Sequence, residues 1–258
     1  MTEEWRLLKT GPGDAYWNMA VDEAVFKARA GGRAPCTVRL YTWRPSAVSI
    51  GFFQSLHHEV DVEECRRLGI DVVRRITGGG AVYHDSQGEV TYSVVASEAD
   101  LRRLGFDPSI QPSYEALCSG IVQGLKLLGV AAEFKPINDI VVAGRKISGS
   151  AQTRRGGAIL QHGTLLLKSD IATMFRVLKV SKEKISDKLI KAAEERVTNV
   201  FKELGRELSV EEVVEALVKG FEGALGVKLV EGELTAHELR LAEELRSKYA
   251  SKEWLELR

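Results

Sequence analysis

Asparagine occurs three times and glutamine six times in 258 residues, and there are only three cysteines and six prolines. Three thiols, an odd number without metal-ligand spacing, argue against a disulfide framework or a zinc site. No charge of one sign prevails: Lys+Arg and Asp+Glu both number 36. There is therefore no global basic field to recruit nucleic acid, and no acidic tail. No apolar run approaches the length of a membrane span. The first residues, Met1-Thr2-Glu3-Glu4-Trp5, lack an apolar signal core. The expectations are a cytoplasmic protein that needs neither nucleic acid nor membrane as partner. Scarce amides beside plentiful Lys, Arg and Glu lean towards a thermophilic source.

The chain is long enough for one large domain with ample core. Asp14 to Ala30 reads as a helix with Met19, Ala20, Ala24 and Phe26 inward, ended by Gly31-Gly32. Thr37 to Thr42 and Ala47 to Gly51 read as strands, and Val60 to Leu68 as a short helix. Strands are expected at Ile70–Arg75, Ala81–His84 and Glu89–Val95, followed by an amphipathic helix over Ser113–Leu128. Ala132–Phe134, Ile140–Ala151 with a turn at Ala143-Gly144, and Ala158–Leu167 complete the strands. After Ser169 the character turns helical, with capping boxes at Ser209-Val210-Glu211-Glu212 and Thr235-Ala236-His237-Glu238. Cys65 and Cys118 fall on apolar helical faces and read as small core residues; Cys36 only opens a strand. There is no internal repeat and no low-complexity stretch. The fold class is α+β, a mixed or antiparallel sheet flanked by helices.

Two segments carry chemistry. Arg74-Arg75-Ile76-Thr77-Gly78-Gly79-Gly80-Ala81-Val82-Tyr83-His84-Asp85 joins two cations to bare backbone between two strands. Glycines let a ligand approach the main chain, free amides can bind phosphate, and arginine can add a charge-assisted fork. No Gly-Lys-Ser/Thr follows, so this is not a P-loop. The next segment alternates like a strand, so it is not a Rossmann fingerprint. The second segment holds Asn138-Asp139, then Gly144-Arg145-Lys146-Ile147-Ser148-Gly149-Ser150-Ala151-Gln152, then Gln161-His162-Gly163-Thr164. Small neighbours let Lys146 lie close to a carboxylate or phosphate oxygen. Asp139 suits a hydrated Mg²⁺, which needs only one or two carboxylates. His162, read alone, is most simply a satisfied buried imidazole.

Together these segments resemble the lipoate–protein ligase A family, within the biotin and lipoate ligases and octanoyltransferases. Arg74 to Asp85 is similar to its RRxxGGGxVxHD signature. Asn138-Asp139, Gly144 to Gln152 and His162-Gly163-Thr164 match later blocks in order, and Glu195-Arg196-Val197-Thr198-Asn199 resembles RVTNL. The similarity spans at least Trp17 to Asn199.

The resemblance implies an enzyme that makes lipoyl-AMP from lipoate and Mg-ATP, then passes the lipoyl group to a lysine of an apo lipoyl domain. The acceptor would be a 2-oxoacid dehydrogenase acyltransferase subunit or a glycine-cleavage carrier. Lys146 would be catalytic, bridging acyl carbonyl and phosphate. Arg75, Gly78, Gly79, Gly80, Ala81, Val82, Tyr83, Asn138, Asp139 and Lys146 would hold the nucleotide. Arg75, Lys146, His84, Ser148 and His162 would contact the acyl substrate, and Asp139 would hold Mg²⁺. The acyl chain would enter an apolar tunnel. Residues 1–258 would form one catalytic domain, helical from about residue 170, with no accessory domain of its own, so a separately encoded accessory subunit is an expected partner. The run Trp254 to Arg258 reads as a docking edge or a frayed tail.

The rival within the family is an octanoyltransferase that works through a cysteine thioester. Neither Ala131–Pro136 nor Gly163–Arg258 contains a cysteine, which favours the ligase expectation. A non-catalytic lipoate-binding protein is the alternative of a different class.

Overall fold

The computed structural model describes residues 2–168, 170–179, 192 and 195–258. Its main sheet has eight strands in the order β11-β1-β2-β6-β10-β9-β8-β7. These are β1 (Glu3–Gly13), β2 (Thr37–Trp43), β6 (Glu89–Ser97), β7 (Glu133–Lys135), β8 (Asp139–Val142), β9 (Arg145–Arg155), β10 (Ala158–Leu166) and β11 (Val227–Glu231). β11, β1 and β2 run parallel, while β2 to β7 pair antiparallel, so the sheet is mixed as expected. A second sheet, β4-β3-β5, is built from β3 (Ala47–Ile50), β4 (Asp71–Arg74) and β5 (Val82–His84).

Helices cover both faces of the large sheet. Helix α1 (Ala15–Ala30) lies on one face, with its first turn capped by Asp14. It packs with α9 (Ala236–Tyr249) against Tyr41, Trp43, Val95 and Leu160. On the other face lie α5 (Ile110–Leu127) and α8 (Val210–Leu225), over Val90, Tyr92, Val94 and Ile159. Val90, Tyr92 and Val94 serve one face and Val95 the other, as the two-residue period of a strand requires. The backbones of α5 and α8 touch: a Cβ on Gly220 would lie 2.4 Å from Gly120 O. Short helices α2 (Leu56–Glu59), α3 (Val62–Leu68), α4 (Glu98–Arg103), α6 (Ile171–Val177), α7 (Val200–Leu204) and α10 (Lys252–Leu255) fill the connections. Among the described residues, no helix is long and apolar enough to cross a membrane.

Both predicted capping boxes form, at Ser209/Glu212 and Thr235/Glu238. Glu238 also pairs with Arg6 in the buried interior, tying α9 to β1. Three elements differ from the sequence reading. β1 and β11 form a parallel edge that the sequence reading leaves out. The C-terminal portion is therefore not purely helical. Within the terminal run, Trp254 and Leu255 are anchored and not frayed. Arg74, fully buried, donates to the carbonyls of Trp254 and Leu255 and to those of Gly51, Phe52 and Gln54, while Trp254 Nε1 donates back to Arg74 O.

Candidate active site

The first predicted segment becomes the turn from β4 into β5, where the chain crosses between strands of the small sheet. Gly51 makes room for it: a Cβ there would lie 2.1 Å from Gly79 O. Gly79 adopts φ +88°, a conformation that favours glycine. Among the described residues, the amides of Gly78, Gly79 and Gly80 donate to no protein acceptor. They stay available to an incoming ligand, as the glycine run suggests.

Arg75 is held differently from the expectation that it grips phosphate. Its five N–H groups are all taken inside the protein. Nε donates to Thr77 Oγ1 (3.1 Å), Nη1 to Ser49 O and Ser49 Oγ (3.0 and 3.2 Å), and Nη2 to Gly78 O and Gly80 O (both 2.7 Å). A phosphate oxygen would have to displace one of these. Burial pulls the guanidinium down to about 10, which still leaves it charged at neutral pH. Arg75 thus shapes the loop and supplies positive charge to the cavity wall.

The second segment folds as the β8–β9 hairpin. Ala143 and Gly144 both take positive φ (48° and 77°), the two-residue turn that the sequence indicates. Lys146 follows at a register shift in the ladder, and its carbonyl accepts from Thr198 N at 2.8 Å. The Glu195 to Asn199 block is therefore a brace. Val197 and Thr198 hold the Lys146 backbone, and Asn199 caps α7. The Lys146 ammonium is about half exposed and lies 2.6 Å from Asp139 Oδ1. Gly149 is what lets it fold back there, because a Cβ on Gly149 would lie 2.8 Å from both Lys146 Nζ and Cε. We expect Gly149→Ala to push the ammonium aside and lower turnover by about tenfold, with thermal stability little changed. Parallel initial-rate and melting measurements check this.

One cavity of about 340 Å³ gathers most of the predicted residues: Arg75, Gly79 through His84, Asn138, Lys146 and His162. Three do not line it. Gly78 turns its carbonyl to Arg75, Asp139 sits behind the Lys146 ammonium, and Ser148 is buried out of reach. Opposite in character to the polar loop, Met19, Trp43, Leu166, Ile171, Met174 and Leu178 supply apolar wall. A cavity that combines free amides, the lysines Lys146 and Lys168 and an aliphatic lining suits a molecule with a polar head and a hydrocarbon tail.

Both histidines are satisfied. His162 Nδ1 is 2.9 Å from Asp22 Oδ2, and its Nε2 is 2.8 Å from Thr77 Oγ1. His84 stacks on Trp43 and lies between Glu89 and Ser49. The reading of His162 as a buried, partnered imidazole matches this geometry. Burial holds His162 below its ordinary 6.5, with Asp22 pulling the other way. Burial likewise opposes ionisation of Asp22, but Arg39 and His162 more than offset it and keep its carboxyl below the usual range.

The sign for stability follows from the lowered imidazole. The unfolded chain binds the His162 proton more readily than the folded one. The stabilisation is present above pH 6.5 and is lost as pH falls through the folded value. Chemical denaturation from about pH 7.5 to about pH 5 should show falling stability below pH 6.5, and His162→Gln should flatten that slope.

Sequence reasoning misses Asp22, Ser49 and Glu89. For Asp22 a signal exists, since it lies three residues after inward-facing Met19 on α1. The cysteine expectations stand: Cys36, Cys65 and Cys118 are all buried, and none lines the cavity. Burial pushes the first two thiols to about 12 and raises Cys118. Cys118 Sγ lies 3.4 Å from Ser150 Oγ, so one hydroxyl separates it from the cavity wall. Asp139 Oδ1 lies beside the Lys146 ammonium yet makes no hydrogen bond, so a divalent ion there would share the carboxylate with Lys146. Among the described residues, the cluster with three candidate metal ligands is Glu3, Cys36 and Asp100. Arg29 and Arg103 occupy its carboxylates.

The chain resembles known proteins along nearly its whole length. The lipoyl protein ligase A/B catalytic domain matches residues 14–222. The octanoyltransferase LipM of Kyrpidia tusciae is 43% identical, over 98% of each chain, and that of Moorella thermoacetica 38%, over 99% of each. Among solved structures, the bi-partite lipoate protein ligase of Thermoplasma acidophilum, described with its E2 lipoyl domain, superposes with a TM-score of 0.88. It is 36% identical, over 99% of this chain and 98% of that one. A lipoate-protein ligase A bound with ATP gives 0.83 and 33%, over 98% of each. With that match and those relatives, the chain belongs to the lipoyl protein ligase A/B catalytic domain family.

Proposed function

We propose that this protein attaches an octanoyl or lipoyl group to a lysine of an acceptor lipoyl domain, with Lys146 as the catalytic residue. The observation that carries the reading is the Lys146 ammonium at a cavity with free amides and an aliphatic lining. The acyl carbonyl would lie beside Lys146. The acceptor amine attacks the carbonyl carbon, the N–C bond forms, and the bond to the leaving group breaks. The amine proton leaves to the leaving group or to water. A fixed cation at the carbonyl oxygen stabilises charge that develops only in the transition state.

The relatives named octanoyltransferase support a thioester donor, with transfer to the acceptor lysine and release of a thiol. One observation favours a second reading, an ATP-dependent ligase that first forms an acyl adenylate. No cysteine lines the cavity, so an enzyme-bound thioester has no thiol to form on. Likeness to the bi-partite ligase and to the ATP-bound ligase supports this reading as well, and a separately encoded accessory subunit with it. ATP would enter as substrate, its phosphates reaching the amides of Gly79 and Gly80. Asp139 would be the carboxylate to hold a Mg²⁺ that enters with the nucleotide.

The two donors separate cleanly by experiment. An apo lipoyl domain is incubated with the protein and either an octanoyl-carrier thioester without ATP, or octanoate or lipoate with Mg-ATP. Acylation from the thioester alone assigns the transferase. Acylation that requires ATP and releases pyrophosphate assigns the ligase. Cys118→Ala should acylate as well as the parent, and its loss of activity would put the thiol back into the chemistry. Failure with every donor, with and without an accessory subunit, would contradict both readings.

A further inference from the structure

Arg75 is the meeting point of two side-chain chains with the same order of groups. On the first, its Nε donates to Thr77 Oγ1 at 3.1 Å, Thr77 Oγ1 lies 2.8 Å from His162 Nε2, and His162 Nδ1 lies 2.9 Å from Asp22 Oδ2. On the second, its Nη1 donates to Ser49 Oγ at 3.2 Å. Ser49 Oγ lies 2.8 Å from His84 Nε2, and His84 Nδ1 lies 2.8 Å from Glu89 Oε1. Each runs guanidinium, hydroxyl, imidazole, carboxylate. All seven residues are buried.

For neutral imidazoles the proton positions follow from what each group can do. A carboxylate only accepts, so each Nδ1 carries the hydrogen. Each Nε2 is then an acceptor, and each hydroxyl donates to it. The hydroxyl lone pairs remain for the Arg75 N–H groups. Every bond thus points away from Arg75 towards a carboxylate, and bonds aligned in this way polarise one another. The guanidinium is planar, so pinning Nε and Nη1 fixes where Nη2 points. Nη2 is the nitrogen that holds Gly78 O and Gly80 O.

We propose that Asp22 and Glu89 are positioning residues for the glycine loop. Through His162–Thr77 and His84–Ser49 they orient the Arg75 guanidinium, which in turn fixes the loop over residues 78–81 for the acyl donor. The donor part rests on the function proposed above. The loop-holding part does not.

Asp22 also pairs with Arg39 and Tyr41, so Asp22→Asn risks the fold. Thr77→Val is narrower, because the Thr77 hydroxyl touches only Arg75 and His162. Glu89→Gln keeps an acceptor but removes the charge. Nitrogen NMR of histidine-labelled protein should show both His84 and His162 as Nδ1–H tautomers. Hydrogen exchange of the Phe52 amide, which donates to Thr77 O at 2.8 Å at the base of the loop, should speed up about tenfold in Thr77→Val and in Glu89→Gln, the equivalent of one hydrogen bond. Peptides from α5 and α8 should be unchanged, and Thr77→Ser should restore the slow rate. In turnover, KM for whichever donor is used should rise about tenfold, with kcat held within about threefold. Nε2–H tautomers in the parent, or parent-like Phe52 exchange in both variants, would overturn the proposal. Tautomer and exchange measurements need no turnover. A protein that acylates nothing would therefore sink the function and still decide the loop.

Discussion

Replacing Lys146 by alanine is expected to lower acyl transfer by about 10²–10³-fold while leaving the fold intact, the usual effect of removing one fixed stabilising charge. The side chain is half exposed, and its ion pair with Asp139 is partly solvated, so its removal should cost little stability. The backbone of Lys146 is held independently, by β8 on one side and by Val197 and Thr198 on the other. Cutting the side chain should not release the hairpin. Lys146→Arg keeps the cation but spreads it over a planar fork, and Gly149 leaves room shaped for an ammonium. It should retain a small part of the activity. Steady-state rates with melting curves check both variants. A fall in activity that merely followed a fall in stability would remove Lys146 from the chemistry.

The second large effect is expected at Arg75, and of a different kind. Arg75→Lys keeps the charge, yet a lysine ammonium offers three donors where the guanidinium makes five bonds. Some of the acceptors Gly78 O, Gly80 O, Ser49 O and Thr77 Oγ1 would lose their partner, and those of Ser49 and Thr77 are buried. The expected cost is about 3 kcal/mol in chemical denaturation, with turnover lost because the loop no longer keeps its shape. An Arg75→Lys protein of normal stability and activity would show that charge alone suffices there.

Much of the site is legible in the sequence because it is local. The glycine run, the Ala143-Gly144 turn and the two capping boxes each announce their geometry within a few residues, and the structure has all of them. What is not legible is pairing over distance. β1 mixes Trp5, Leu7 and Leu8 with Arg6, Lys9 and Glu4, and it becomes a strand only because β2 and β11 flank it. β11 is five residues long, and its inward Val227 and Leu229 are too few for a period to stand out. Arg75 looks like a phosphate ligand because the sequence shows a cation beside glycines. It does not show Ser49, 26 residues earlier, taking two of its hydrogens. Arg74 stands beside Arg75 in the same motif, yet it is buried against the C-terminal Trp254. The wall of the cavity beyond the loop comes from α1, β10 and α6, and no single motif marks it.

The most direct measurement is intact-mass analysis of an apo lipoyl domain after incubation with the parent protein or with Lys146→Ala, each supplied with the thioester donor and with octanoate or lipoate plus Mg-ATP. The expected result is one added acyl group with the parent under at least one donor, placed on a lysine by peptide mapping, and none with Lys146→Ala over the same time. An unmodified acceptor under every donor, or equal modification by the parent and Lys146→Ala, would contradict a Lys146-centred acyl transfer.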